Sequence, residues 1–355
     1  MSDIKRRKTR QISLGGILIG GDAPISIQSM LSVRTSDIGE ARQQLIRLQT
    51  AGCDIIRFSV VDLDDAAAIP ILKRISSMPM VADIHFDHRL ALAAMDGGID
   101  GLRINPGNIE KRNHVETLVA AAKDRGVPIR IGVNSGSLPR DLLDKYGLTA
   151  NAMVEAALRH VRILEDLNYD RIKISVKASH VPLMLESYRL LSAKCDYPLH
   201  LGITESGTLL SGSVKSSLAL GILLAEGIGD TIRVSLTSDP VQEVIVAKEI
   251  LKALELRKGL NIISCPTCGR TRIDLIALTE KVETALQKYA DLPITVAVMG
   301  CAVNGPGEAR EADYGIAGGD GEGLLFAHGK IVKKVPEDRL VEELMALIES
   351  DVIAD

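Results

Sequence analysis

The chain has 355 residues, 46% hydrophobic, 25% charged and only 3% aromatic, with a formal net charge of −4. At this length two domains are the natural expectation, and the balance excludes a nucleic-acid surface, which would want a basic face and stacking rings. Five cysteines, an odd number, do not make a secreted disulfide framework, and no apolar run approaches the roughly 20 residues that cross a bilayer. Neither nucleic acid nor a membrane is therefore an expected partner, and a reducing cytoplasm is the expected location.

In chain order, a basic start (Lys5, Arg6, Arg7, Lys8) precedes two β-like runs, 11–19 and 24–27, that flank Gly20-Gly21-Asp22. This reads as a hairpin able to plug the bottom of a barrel, or equally as a flexible arm. From residue 25 onward short β-rich runs alternate with amphipathic helical patterns. Strands are expected at 25–30, 54–59, 80–85, 101–104, 128–133, 171–176, 199–203 and 231–236. Helices are expected at 36–51, 65–76, 87–97, 111–125, 150–168, 181–194, 213–226 and 240–256. The last opens Ser238-Asp239-Pro240, an N-cap candidate followed by Pro at the first helical position. Eight βα units in roughly 230 residues match the count and length of a (β/α)8 TIM barrel. Near-continuous apolar strands suit a buried parallel sheet, although a doubly wound open α/β sheet uses the same elements.

In such a barrel the C-terminal ends of the strands carry the chemistry. Here they carry Arg57, Asp83 and His85, Arg103, Arg130 with Asn134, Lys177, Glu205, and Arg233 with Ser235. Four arginines and a lysine on five strands exceed what a packed core tolerates, because unpaired buried charge is costly. Any one of them could be the salt-bridge partner of a neighbouring acid. Together they point to an anionic ligand, and Arg suits phosphate through its planar fork. Gly-rich turns after the fourth, fifth and seventh strands can bring backbone N–H groups to the same anion. Asp83 is a structural partner or an acid–base group. Glu205, beside Ser206-Gly207, is the better proton-transfer candidate. His85 is a ligand contact or a satisfied structural histidine.

After residue 256 the pattern changes, with Arg257-Lys258-Gly259 as a hinge. Strands at 260–264, 294–299, 314–317, 323–327 and 331–335, and helices at 272–289 and 336–349, describe a small α+β domain. Its strand ends carry Cys265-Pro266-Thr267-Cys268-Gly269-Arg270 and Met299-Gly300-Cys301-Ala302-Val303-Asn304-Gly305-Pro306-Gly307-Glu308. Three thiolates admit three readings. Structural zinc wants a fourth Cys or His, and neither turn has a histidine. A redox CxxC pair leaves Cys301 unexplained. An iron–sulfur cluster is held by thiolates, usually four, so one iron would take another ligand. Glu308, across the Gly305-Pro306-Gly307 bend, could close the site, or could be an ordinary exposed acid. Cys53 and Cys195 read as structural.

These residues resemble the 4-hydroxy-3-methylbut-2-en-1-yl diphosphate synthase (IspG/GcpE) family in its short bacterial two-domain form. The likeness runs over nearly the whole chain. It includes Gln28-Ser29-Met30, Ala82-Asp83-Ile84-His85-Phe86, Arg103-Ile104-Asn105-Pro106-Gly107-Asn108, Ile131-Gly132-Val133-Asn134 and Lys177-Ala178-Ser179 besides both cysteine turns. The resemblance implies a substrate-binding TIM barrel over residues 1–256 and a [4Fe-4S]-binding, sulfite-reductase-like α+β domain over 260–355. It implies reductive dehydration and ring opening of 2-C-methyl-D-erythritol 2,4-cyclodiphosphate in the non-mevalonate isoprenoid pathway. Electrons would come from flavodoxin or ferredoxin, and the enzyme would be a homodimer in which one subunit's cluster domain covers the other's barrel mouth. Cys265, Cys268, Cys301 and Glu308 would bind the cluster. Arg57, Arg103, Arg130, Lys177 and Arg233 would clamp the diphosphate with Asn134 and Ser235, Asn304 would lie near cluster and substrate, and Glu205 would handle protons. One departure is Glu110, where the family pattern leads us to expect Gly.

Overall fold

The computed structural model describes residues 4–85, 87–109, 111–301, 307 and 310–352. The chain divides into two compact units, Met1–Arg257 and Lys258–Asp355.

The first unit opens with an antiparallel hairpin, β1 (Ile12–Leu14) and β2 (Ile17–Ile19). Its turn is Gly15-Gly16, not Gly20-Gly21-Asp22. Both glycines have positive φ, 54° and 92°, which a two-residue hairpin turn needs and other residues resist. The flexible-arm reading fails. Arg7 donates its backbone N–H to Gly227 O at 2.9 Å, and Arg6 pairs with buried Asp230 at 2.9 Å.

Eight parallel strands follow: β3 (Ser26–Met30), β4 (Ile55–Ser59), β5 (Met80–Asp83), β6 (Gly101–Arg103), β7 (Ile129–Asn134), β8 (Ile172–Lys177), β9 (His200–Leu201) and β10 (Thr231–Ile232). They lie in the order β8-β7-β6-β5-β4-β3-β10-β9. A parallel bridge from Ile174 to Leu199 joins the two ends, so the sheet closes as a TIM barrel. The helices between them are α1 (Ile38–Thr50), α2 (Leu63–Ile75), α3 (His88–Asp96), α4 (Arg112–Arg125), α5 (Arg140–Tyr146), α6 (Ala150–Asp166), α7 (Val181–Lys194), α8 (Leu209–Ala225) and α9 (Pro240–Ala253). Asp37, Asp62, Asp87, Thr149 and Asp239 cap α1, α2, α3, α6 and α9 through their side chains, each satisfying an N–H of the first turn.

Three details depart from expectation. Helix α5 was missed, because its seven residues are too few to show a period. Helix α8 begins at Leu209 rather than 213. Strands β9 and β10 pair over only two residues each, and Gly202, which follows β9, packs against the Lys177 side chain. A Cβ on Gly202 would lie 2.5 Å from Lys177 Nζ.

Period-2 alternation divides every strand. Ile56, Phe58, Met80, Ala82, Ile129 and Ile131 join the large core shared with the helices. The alternate positions face the barrel axis. At the N-terminal end the axis is closed by the hairpin, where Ile12, Leu14 and Ile19 cluster with Ile55 and Val81. Leu14 also covers Gly101, whose added Cβ would meet Leu14 Cδ1 at 3.0 Å.

The second unit is a five-stranded sheet of β11 (Asn261–Ser264), β12 (Thr295–Met299), β13 (Tyr314–Ala317), β14 (Glu322–Ala327) and β15 (Lys330–Pro336), in that order. The first three strands are parallel and the last two pair antiparallel. Helices α10 (Leu275–Leu286) and α11 (Leu340–Val352) pack on the face that carries Val296, Val298 and Ile316. Helix α10 starts at Leu275, not 272, because Asp274 caps it.

Because the hairpin fills the barrel floor, Leu14→Ala is expected to destabilise the protein by about 2–4 kcal/mol, the range for a buried Leu that leaves a cavity. Urea unfolding followed by far-UV circular dichroism would measure it. A flexible arm would show no change.

Candidate active site

Arg57 (β4), Asp83 (β5), Arg103 (β6) and Arg130 (β7) stand on successive strands and are all buried. Asp83 bridges two of the cations: its Oδ2 lies 3.5 Å from Arg57 Nε and its Oδ1 3.2 Å from Arg103 Nη1. Arg103 also donates to Gly132 O at 3.0 Å. Asn105 locks the same peptide reciprocally, through Nδ2 to Gly132 O at 2.9 Å and Oδ1 from Gly132 N at 3.0 Å. On the far side Arg233 reaches Glu243 of α9 at 3.4 Å. Glu243 is itself held by Ser29 Oγ at 3.0 Å and Leu236 N at 3.1 Å.

The interior therefore holds Arg57, Arg103, Arg130, Lys173, Lys177 and the mostly buried Arg233 against two carboxylates, Asp83 and Glu243. Among the described residues, Arg103 Nε, Arg130 Nε and Nη1, both Gln28 amide atoms and both His200 ring nitrogens are buried without a hydrogen-bond partner. Native interiors pair such atoms, so the deficit marks a place prepared for a polar ligand or water.

Electrostatics follows from this crowding. Burial alone would push the Asp83 carboxyl up, but Arg57, Arg103 and Arg130 outweigh it and hold it below the usual carboxylate value. Burial lowers Arg57 to about 10 and, with Arg130 beside it, Lys173 to about 7. Lys177 and Arg130 fall well below their ordinary values by burial and neighbouring cations. Burial and the same cations keep His200 neutral.

The remaining expected residues lie around this cluster. His85 is exposed, with Nδ1 3.3 Å from Arg103 Nη1 and Nε2 3.9 Å from Asp83 Oδ1. Asn134 is half-buried and in register with Lys177. Half-buried Ser235 accepts from Ser206 Oγ through its carbonyl, which ties the seventh and eighth strand-end loops together. Glu205 is exposed and sits at φ 55°, a region that non-glycine residues rarely occupy. Such backbone strain clusters at functional sites.

Sequence reasoning passed over Lys173, His200 and Glu243, and it quoted Gln28 and Met30 only as part of the family likeness, without a role. A strict period-2 reading would have found Lys173, which lies four residues before Lys177 on one face of β8. Glu243 sits on a helix and gave no such signal.

In the second unit, both cysteine turns leave the same end of adjacent parallel strands. Ser264 of β11 pairs with Val298 of β12, so Cys265 and Gly300-Cys301 emerge side by side. Gly300 N–H donates to Cys265 Sγ at 3.1 Å. Cys268 is exposed, and the backbone N–H of Arg270 lowers its thiol pKa. By contrast, burial raises Cys195 and pushes Cys53 up to about 12, the inert pattern of structural thiols. Asn304, Glu308 and Glu110 lie outside the described residues.

The chain matches the family model described as the GcpE TIM-barrel domain over residues 9–248, and that of the GcpE protein C-terminal domain over 261–350. It is 61% identical to the 4-hydroxy-3-methylbut-2-en-1-yl diphosphate synthase (flavodoxin) of Geobacter sulfurreducens, across 97% of this chain and 98% of that one. It is 56% identical to the enzyme of the same name from Clostridium perfringens, across 98% and 100%. Among solved structures it is similar to Plasmodium falciparum HPPK-DHPS with pterin and p-hydrobenzoate. That match has 12% identity and a TM-score of 0.51, and covers 70% of this chain and 50% of the other. This last likeness shows the barrel fold alone.

Asp83→Asn would leave Arg57 and Arg103 buried without their counter-charge, so a loss of about 3 kcal/mol is expected at pH 7. The folded value of Asp83 is depressed, so its contribution is present above the unfolded value of about 4 and is lost as pH falls through the folded one. Urea titrations at pH 7 and pH 3 should therefore show the gap between variant and wild type narrowing in acid.

Proposed function

The chain belongs to the GcpE family over both of its domains, and from that membership we propose that it acts as a 4-hydroxy-3-methylbut-2-en-1-yl diphosphate synthase. It would open 2-C-methyl-D-erythritol 2,4-cyclodiphosphate reductively to 4-hydroxy-3-methylbut-2-enyl diphosphate, in the non-mevalonate route to isoprenoids. The observation that carries the reading is the cation excess of the barrel interior, which suits the charge of a diphosphate. Arg57, Arg103, Arg130, Lys177 and Arg233 hold the diphosphate, with Asn134 and Ser235 at its rim, and Asp83 and His85 fix the arginine nearest them.

The donor set of the second domain fits a [4Fe-4S] cluster. Cys265 and Cys301 leave neighbouring strand ends, Cys268 lies on the turn after Cys265 with a lowered pKa, and a backbone N–H is aimed at the Cys265 sulfur. Cys265, Cys268 and Cys301 would hold the cluster with Glu308, and Asn304 would lie beside it. The chemistry it supplies is one-electron reduction and Lewis-acid contact with a substrate oxygen. A carboxylate such as Glu308 would be a harder ligand than thiolate and more easily displaced, so it would be the ligand best suited to give way to a substrate oxygen. Glu205, exposed at the end of the seventh strand, delivers the proton that dehydration requires.

Flavodoxin dependence is supported by the names of the relatives; ferredoxin is the other one-electron donor of the right kind. A homodimer, with one subunit's cluster domain over the other's barrel mouth, belongs to the same reading and draws on family likeness. So does a cytoplasmic location. Among the described residues, no helix is long and apolar enough to cross a membrane.

Anaerobically purified protein should be brown, contain about four irons per chain, and consume the cyclic diphosphate with reduced flavodoxin. Cys301→Ala should lose both iron and activity. Glu308→Cys should keep its iron but lose turnover, and normal activity in that variant would refute ligand exchange at Glu308. A colourless zinc protein without turnover would overturn the assignment.

A further inference from the structure

The Gln28-Ser29-Met30 stretch of β3 has no part in the scheme above, yet it touches both sides of the cation cluster. Met30 Sδ lies 2.8 Å from Nη2 and 3.2 Å from Nε of Arg57, and 3.6 Å from Nη1 of Arg233. One thioether thus accepts N–H groups from two guanidiniums, one on β4 and one just past the end of β10, the strands on either side of its own. The next residue back continues the same arrangement: Ser29 Oγ donates to Glu243, which pairs with Arg233.

Arg57 and Arg233 repel each other, and that repulsion is one of the influences that depress Arg57. A carboxylate between them would hold them together but would cancel the charge that a phosphate needs. An aliphatic side chain would leave their N–H groups without an acceptor. A thioether is a weak, uncharged, polarisable acceptor. It can turn one edge of each guanidinium towards itself while both keep their full charge. Arg57 meets Met30 and Asp83 through its Nε–Nη2 edge, which leaves Nη1 outside those contacts.

We propose that Met30 is a positioning residue for diphosphate binding: its sulfur holds Arg57 and Arg233 in one orientation, as a pair, without neutralising either. This rests on the diphosphate reading of the barrel mouth. A weak hydrogen bond to a charged donor is worth little in stability, but lost orientation of two arginines should appear directly in affinity.

The test uses cluster-loaded enzyme. Met30→Leu keeps the volume and removes the acceptor; Met30→Gln restores an uncharged acceptor of similar reach. Iron content and thermal midpoint serve as folding controls. For Leu we expect KM for the cyclic diphosphate and Kd for inorganic diphosphate, measured by calorimetry, each to rise about tenfold, with kcat within twofold of wild type. For Gln we expect most of that loss to be recovered. Leu within twofold of wild type in both constants would overturn the proposal, and so would Gln as impaired as Leu, since packing alone would then account for Met30. A wild-type enzyme that binds diphosphate but does not consume the cyclic substrate would instead sink the functional reading, and the calorimetric comparison of Leu with Gln would still decide the role of Met30.

Discussion

Everything else in the barrel answers to one constraint, an excess of positive charge held inside a closed sheet. Six cationic side chains, Arg57, Arg103, Arg130, Lys173, Lys177 and Arg233, face two carboxylates, Asp83 and Glu243. In a low-dielectric interior such a set is sustainable only if charge is shared, shed or awaited. All three occur. Asp83 shares its two oxygens between Arg57 and Arg103, and Glu243 takes Arg233. Lys173 is depressed to about 7 and Lys177 well below its normal value, so both can shed a proton. Among the described residues, the buried Nε and Nη1 of Arg130 have no partner, and a polar ligand or water could supply one.

The scaffold serves this arrangement at a distance. The Gly15-Gly16 hairpin closes the floor with Ile12, Leu14 and Ile19, so solvent cannot screen the cations from below. Outward-facing Ile, Phe, Met and Val residues carry the helices, and their burial supplies the stability that the interior spends on unpaired charge. Gly202 makes room for the Lys177 side chain, whose Nζ lies 2.5 Å from where a Cβ would stand.

The periodic part of this design is legible in the sequence, and the relational part is not. Eight βα units, the Asp239-Pro240 helix start, five basic strand ends and two cysteine turns each follow a local rule. Met30 and Glu243 do not, because an uncharged thioether on one strand and an acid on a helix have no pattern that ties them to Arg57 and Arg233. Lys173 was within reach but lies one layer below the strand ends, where a mouth-centred reading does not look. The hairpin turn was misplaced because two glycine pairs, Gly15-Gly16 and Gly20-Gly21, compete, and only the first lies midway between runs of equal length.

The two units gather chemically different side chains by the same geometric device. Each gathers its reactive groups where adjacent parallel strands end, because there the register alone brings residues distant in sequence together. In the barrel this convergence concentrates hard, charged donors suited to phosphate. In the smaller sheet the pairing of Ser264 with Val298 brings Cys265 beside Gly300-Cys301, gathering soft thiols where a strand-end N–H already points at sulfur. Burial also separates the thiols: Cys268, exposed on the turn after β11, is lowered by the Arg270 N–H, whereas Cys53 and Cys195 in the barrel unit are raised by burial.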